Sequence, residues 1–534
     1  MLLACLLALA PAPALAAPPS EEDAIRIALR IPQVRMELAR YKSIRASASR
    51  TGDYWQVLFF DTDDEARAEV DVDVLSGQVL QVLTGEKATF PLARGSASGF
   101  AQRTLNAVWI WVPLTLLFVG VFFDRRRPWR LLHLDLAVIA ALSISFAFWM
   151  KGDLDTSVPL VYPTLVYVFV RMLLAGFKPR TRSGPITWLT PGLVIGLTLA
   201  LLVFRIGLTL ADGFVSDIGY GSAAGADRIL NGLELYTRGG AHFDTYGPLA
   251  YLLYIPFVLV WPFHESQTYP SAAEAAAIAW EVITVAGLVV LGRKLRLGWT
   301  LALAWTLCPF TALAVVNSSN DGLVAATLVW ALVAGSSPAL RGALTGASAA
   351  AKIAPGFILP VIARGTGRLD VRKAAIALAA AAVVIAASVI PVLPPGGLKE
   401  FYDATIGFQL HRESPFSIWS QHPGLEPLQT VLKAASLALA LGLALFPRGP
   451  RTFAQMCALA AAVLVAAELP LQHWFYLYVP WFLPLYCAAL FIEHAADVRP
   501  AASQPLPRPG DAQASYTGRY ARSPDRLQPR RGSP

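Results

Sequence analysis

Charge is the scarcest material in this sequence. Asp, Glu, Lys and Arg make up 15% of its 534 residues, against 55% hydrophobic, where a soluble domain carries about 25% charged. With a mean hydropathy of +0.51, the composition excludes a soluble fold and demands a bilayer. Cysteine is almost as rare. Of four, Cys5 lies in the first apolar stretch and Cys308, Cys457 and Cys487 in later ones, which excludes a disulfide framework or a cysteine metal site. Histidine numbers seven, and His242, His411 and His473 fall on three separate loops without ligand spacing. No metal centre is expected from them, although a hard divalent cation such as Mg or Mn could use loop carboxylates. The net charge of +8 sits in short loops and a tail, where it reports orientation and not nucleic-acid binding. No internal repeat relates the two halves.

What is present begins with MLLACLLALAPAPALAAPPS, a short apolar core followed by Ala14-Leu15-Ala16, a cleavage-site pattern. We expect a signal peptide over 1–16, although the usual basic n-region is missing, which leaves the true start open. A lipoprotein anchor at Cys5 would leave too short a leader. Residues 20–92 are charged and alternating. An acidic start at Glu21-Glu22-Asp23 predicts one helix. YWQVLFF and AEVDVDVLSGQVLQVLTG, the latter folded at a Ser-Gly turn, predict about three strands. This pattern resembles the small PepSY-type domain of extracytoplasmic proteins, which implies binding or regulation and no chemistry.

From Thr104 apolar spans alternate with short loops. Basic clusters at Arg125–Arg127 with Arg130, Lys178/Arg180/Arg182, Arg293/Lys294/Arg296, Arg341, Arg364/Arg368/Arg372/Lys373 and Arg448/Arg451 should face the cytoplasm. Two stretches break parity. Residues 247–263, opening Tyr246-Gly247-Pro248 and rich in Tyr251, Tyr254 and Trp261, read as a helix on the outer surface. Residues 342–363, basic at both ends with Lys352-Ile-Ala-Pro355 between, read as a re-entrant hairpin with Lys352 near its tip. The expected fold is a polytopic α-helical membrane protein: about eleven transmembrane helices, one hairpin and a small N-terminal extracytoplasmic α+β domain. Accessory helices cover 104–183 and the core 187–492. Residues 493–534, rich in Pro, Arg and Ser, read as a disordered cytoplasmic tail.

That topology places most polar residues on the extracytoplasmic face of the plasma membrane. The loop 211–247 carries Asp212, Asp217, Asp227, Arg228, Glu234, His242, Asp244 and Tyr246. Asn317-Ser-Ser-Asn320-Asp321 forms a short outer turn, residues 395–426 add His411 and Arg412, and Gln472-His473-Trp474 the last turn. An apolar groove with carboxylates and separated cations suits a lipid-linked phosphate, because the tail needs the groove and the phosphate needs Lys or Arg.

A carboxylate-bearing first loop, then YGPLAY, an N-D turn and a K-x-x-P hairpin in that order resemble the GT-C superfamily of membrane glycosyltransferases, nearest to family 87, over roughly 187–490. The first three spans and the PepSY-like domain lie outside that core. The resemblance implies a polyprenyl-phosphate-linked sugar, mannose-like, as donor and a glycan or glycolipid as acceptor. It further implies inverting transfer, with Asp217 as general base, Asp321 beside the donor, Lys352 as the hairpin lysine and Arg412 as a phosphate partner.

Plainer roles compete. Asp212 and Asp227 rival Asp217, and Asp227-Arg228 reads as a surface helix pair. Asp321 suits a helix N-cap, and Lys352 could snorkel from a shallow hairpin. Trp419, Trp474 and Tyr476 read as interfacial anchors before sugar platforms. A lipid or lipid-linked sugar transporter, or a non-catalytic membrane sensor or scaffold, are the rival functions.

Overall fold

The computed structural model describes residues 18–179, 184–236 and 245–495. The expected leader, the tail from 496 onward, and the candidates His242 and Asp244 lie outside the described residues.

The N-terminal domain has two helices, α1 (Glu21–Arg30) and α2 (Pro32–Leu38), and four strands. β1 (Arg45–Thr51), β2 (Tyr54–Phe60), β3 (Ala66–Asp73) and β4 (Val79–Thr84) form an antiparallel meander in that order. Ser20 and Asp23 cap α1 reciprocally, satisfying donors that a helix start leaves free. One helix and one strand more than expected are present. Pro32 opens α2 as a separate helix. β1, RASASRT, is an edge strand with six of seven residues exposed, so it has no apolar alternation to announce it.

Among the described residues twelve longer helices, with shorter ones between them, build the rest. We number α3 (Val108–Gly120), α4 (Leu131–Met150), α5 (Leu154–Phe177), α6 (Pro191–Asp212), α7 (Asp217–Leu230), α8 (Ser271–Lys294), α9 (Thr300–Leu307) and α10 (Pro309–Val316). α11 (Asp321–Val333), α12 (Pro338–Ala351), α13 (Val371–Val389), α14 (Glu426–Leu445), α15 (Phe453–Glu468) and α16 (Val479–His494) follow. Among the described residues seven helices are long and apolar enough to cross a membrane, and five apolar ones are shorter. The eleven expected crossings are not reached by length alone. Proline is the reason at α9 and α10, which would be one helix but for the break at Cys308-Pro309.

That break is repaired by a buried ion pair. Pro309 has no N–H to give the Trp305 carbonyl four residues back. Arg205, buried in α6, fills the gap. Its Nη2 donates to the carbonyls of Trp305 and Cys308 and to Thr311 Oγ1, each at 2.8 Å. Its Nη1 meets Glu281 Oε1 of α8 at 2.6 Å, while Trp305 Nε1 donates to Glu281 Oε2 at 2.9 Å. Three apolar elements are thereby tied at one polar knot. A second knot joins α4, α5 and α16, where Arg171 pairs with Asp135 at 3.0 Å and Glu493 at 2.9 Å.

The basic loops gather at one end of the bundle. Arg130 Nη2 donates to the His494 carbonyl at 3.1 Å, Lys294 Nζ to Val333 at 2.8 Å, and Arg341 Nη2 to Ala363 at 3.0 Å. The last contact brings together the two ends of the 342–363 stretch. At the opposite end Ser216 N donates to the Asn317 carbonyl at 3.0 Å and Gly247 N to Ala351 at 3.2 Å. Residues 247–263 form two short helical pieces, Pro248–Leu252 and Ile255–Val260, with Tyr251 and Tyr254 turned into the core. Trp419, Trp474 and Tyr476 are likewise buried and anchor the core, not an interface: Tyr476 Oη lies 2.7 Å from Ser145 Oγ.

Arg205→Leu should cost about 3–5 kcal/mol, because Glu281 loses its cation inside an apolar bundle. Thermal unfolding in detergent should show a lowered midpoint that Arg205→Leu/Glu281→Leu partly restores. An unchanged midpoint in the single variant contradicts the knot.

Candidate active site

At the end opposite the basic loops lies a cavity of about 710 Å³. Its wall is mostly aromatic and aliphatic, with polar groups from seven separate segments.

Asp217 is the first residue of α7, capped by Ser216, whose Oγ accepts from Gly219 N at 3.5 Å. Its side chain is exposed, but what it faces is the cavity. Protein surrounds it otherwise, and that enclosure pushes its carboxyl above the usual aspartate range. The Ile218 N–H, Arg412 and Lys352 oppose the rise, and Asp321 adds to it.

Lys352 stands at the break after α12, where the backbone becomes extended before a 3-10 turn at Ala354–Ile358. Its ammonium is bonded to Asp321 Oδ1. Trp481 Nε1 donates to the same oxygen at 2.9 Å, and Ser319 Oγ to Oδ2. The rings of Trp481, Tyr246 and Tyr478 stand 5.2, 5.7 and 5.9 Å from the ammonium, close enough for cation–π attraction. Gly247 lets the neighbouring turn approach: a Cβ there would lie 2.1 Å from the Ala350 carbonyl oxygen. Asp321 is not the expected N-cap. That position belongs to Asn320, whose side chain caps nothing, and Asp321, fully buried behind the wall, holds Lys352.

Arg412 follows a π-helical turn at Asp403–Gly407, a distortion frequent at functional sites. It lines the cavity with Gln409, whose Oε1 accepts from Nη1 at 3.4 Å, and among the described residues no carboxylate pairs with it within 4.0 Å. His473 Nδ1 lies 2.7 Å from Ser414 Oγ. Burial, with Arg412 and Lys352 nearby, holds this imidazole well below the usual histidine range, so it stays neutral near pH 7.

The other candidates stand elsewhere. Asp212 fastens the chain ahead of α3, its Oδ2 accepting from Thr104 N at 2.9 Å. Asp227 lies on α7 away from the cavity, and Arg228 Nε donates to the Glu234 carbonyl at 3.0 Å instead of pairing with it. His411 is exposed and bonded to the Gly407 carbonyl at 2.8 Å. Tyr246 does line the cavity.

Sequence reasoning passed over Lys433, Tyr478 and Trp481, all cavity-lining. Lys433 was the findable one, a lone cation inside the apolar run of α14. The two rings look like ordinary core until stacked, with centroids 4.1 Å apart, beneath Lys352.

Among the described residues three cations therefore face the cavity against one carboxylate, with Asp321 behind Lys352. That surplus suits an oxyanion at the head of an apolar molecule. A divalent cation needs several oxygen ligands, and the described wall offers one carboxylate set among cations, which does not fit. Among the described residues no three of His, Cys, Asp and Glu come together to hold a metal. A short isoprenyl phosphate should raise the unfolding midpoint of the purified protein, and Arg412→Gln should abolish most of that rise. An equal rise in both contradicts an anion site at Arg412.

No curated protein and no solved structure matches the chain. The family comparison does find a relative: residues 245–491, just under half of the 534, match the model of Glycosyltransferase family 87. The match begins after Asp217 and takes in Lys352, Arg412, His473 and Trp481, so the cationic side of the cavity lies in the part of this membrane protein that is similar to a glycosyltransferase.

Proposed function

We propose that the protein is an integral membrane glycosyltransferase of the plasma membrane. It takes a hexose, mannose-like, from a polyprenyl-phosphate sugar and transfers it with inversion to a glycan or glycolipid outside the cytoplasm. One observation carries the reading: a single apolar cavity holds a carboxylate, Asp217, that has no ion-pair partner among the described residues, together with the cations Lys352 and Arg412. The family match over 245–491 supports the reaction class.

In this reading the polyprenyl chain lies along the apolar wall and its phosphate meets Arg412 and Lys352. The acceptor hydroxyl approaches Asp217, which takes its proton as the oxygen attacks the anomeric carbon. The bond from that carbon to the phosphate oxygen breaks, and the electron pair leaves with polyprenyl phosphate. The charge gathering on the phosphate is stabilised by fixed cations in a water-poor site. Lys352 can serve without reorganising, since Asp321 and three rings already hold it in place. His473, neutral, hydrogen-bonds to sugar or phosphate. The basic loops at the far end mark the cytoplasmic face, and the PepSY-like domain serves recognition outside.

Asp217→Asn should lower kcat by about 10²–10⁴-fold while leaving donor KM within a few-fold. The wild-type rate should also fall as pH drops through a value above 3.8, the ordinary aspartate value, because Asp217 works only when ionised and its enclosure raises its pKa. Transfer by Asp217→Asn at the wild-type rate, or a pH profile flat down to 4, would remove Asp217 from the base role.

A further inference from the structure

Between the N-terminal sheet and α3 the chain runs as a strap over the cavity. It starts with a helical turn at Glu86–Thr89 and continues through a 3-10 segment, Pro91–Ala97. Phe90, Pro91, Leu92, Ser98, Gly99 and Phe100 all line the cavity. None of this stretch lies within the segment that resembles a known glycosyltransferase.

The strap is fastened at both faces. Towards the sheet, Arg94 Nη2 meets Glu69 Oε2 of β3 at 2.5 Å, and its Nε donates to the Lys87 carbonyl at 2.7 Å. Towards the bundle, Trp149 Nε1 donates to the Leu92 carbonyl at 2.9 Å. Gly95, at φ 60°, sits so close to the end of α4 that a Cβ would lie 2.3 Å from the Trp149 carbonyl oxygen. The small domain is therefore locked to the bundle through the strap, and the strap's position is set by both.

Phe100 touches both sides of the cavity, standing 5.3 Å from Phe475 beside His473, but the fastenings just beyond the strap go to the side of the proposed base. Phe100 packs edge-on against Phe214, centroids 6.3 Å apart, and Phe214 precedes Asp217 in the same turn. Just beyond the strap, the Arg103 guanidinium lies 4.2 Å over the Phe214 ring, and Thr104 is bonded to Asp212. The strap is thus built onto the segment that carries the proposed base. The proposed phosphate cations come from other segments, the break after α12 and the turn before Arg412. The face that the strap offers is aromatic and aliphatic with one serine, and none of its cavity-lining residues is charged.

We infer that the strap from Phe90 to Phe100 is the acceptor-binding wall of the cavity. The N-terminal domain thereby sets which acceptor is used, and that acceptor presents an apolar surface beside its reacting hydroxyl. This rests on the glycosyltransferase reading above. The apolar surface has two chemical sources, the alkyl chain of a lipid-anchored glycoside or the C–H face of a sugar ring. Both gain from burial against Phe90 and Leu92, and neither needs a charge.

The test uses the full-length protein in nanodiscs, a short-chain polyprenyl-phosphate mannose as donor, and octyl mannoside or free mannobiose as acceptor. Phe90→Ala and Leu92→Ala, half-buried positions whose loss leaves the strap's fastenings intact, should each raise acceptor KM about tenfold. Donor KM should stay within twofold, which also reports a folded protein. A rise with octyl mannoside alone assigns the wall to a lipid chain, and a rise with both assigns it to a sugar face. Arg94→Gln, which loosens the strap without touching the cavity, should raise acceptor KM in the same direction. A rise in donor KM with acceptor KM unchanged, or no change in either, overturns the strap's role while the enzyme stands. A wild-type protein that transfers mannose to neither acceptor overturns the glycosyltransferase reading and this inference with it.

Discussion

The bond between Lys352 and Asp321 is the constraint on which the rest of the site depends. A lysine inside an apolar bundle costs several kcal/mol unless it is paired, and here both partners are buried. The pair joins the break after α12 to the first turn of α11, and Trp481 on α16 completes it through the same carboxylate oxygen. Three elements distant in sequence thus converge on one point. The ammonium cannot withdraw to an interface without leaving Asp321 unpaired, so it stays at the cavity wall among three rings. Asp321 neutralises it from behind, and Arg412 supplies charge from a different segment.

The scaffold around this point is held by buried polar knots in place of uniform apolar packing. In a bilayer, lipid tails pack against helices as well as other helices do, so association falls to close packing and polar contacts. Arg205 with Glu281 fixes α6, α8 and the α9–α10 break, and α6 in turn delivers the chain to Asp217. Arg171 with Asp135 and Glu493 fixes α4, α5 and α16, the helix that carries Trp481. Each knot sits on an element leading to the cavity, so the arrangement of the site follows from where charge was buried.

Much of this was legible in the sequence where a residue type violated its surroundings. Lys352 stood out because it interrupts an apolar run, and the basic loops because they repeat at regular intervals. The alternation in YWQVLFF and AEVDVDV marked β2 and β3 directly. Other features have no local signature. Asp321 reads as a capping residue from its neighbours alone, and only the fold shows its carboxylate turned to Lys352. The strap at 90–100 looks like a linker because its role comes from contact with Trp149 and Phe214, far away in sequence. Asp212 and Asp217 are indistinguishable as loop acids. A turn between them sends one to Thr104 and the other to the cavity.

An apolar cavity that holds Asp217 together with Lys352 and Arg412 is the ground for proposing in-line displacement at an anomeric carbon. In the proposed reaction the acceptor oxygen attacks opposite the departing phosphate, and this has a stereochemical consequence independent of which acceptor is used. The most direct test is the anomeric configuration of the transferred hexose, read by NMR after turnover of a polyprenyl-phosphate sugar of defined anomer. A product of opposite configuration to the donor is expected. Retention of the donor's configuration would require two displacements and a covalent intermediate, and would contradict a general-base role for Asp217.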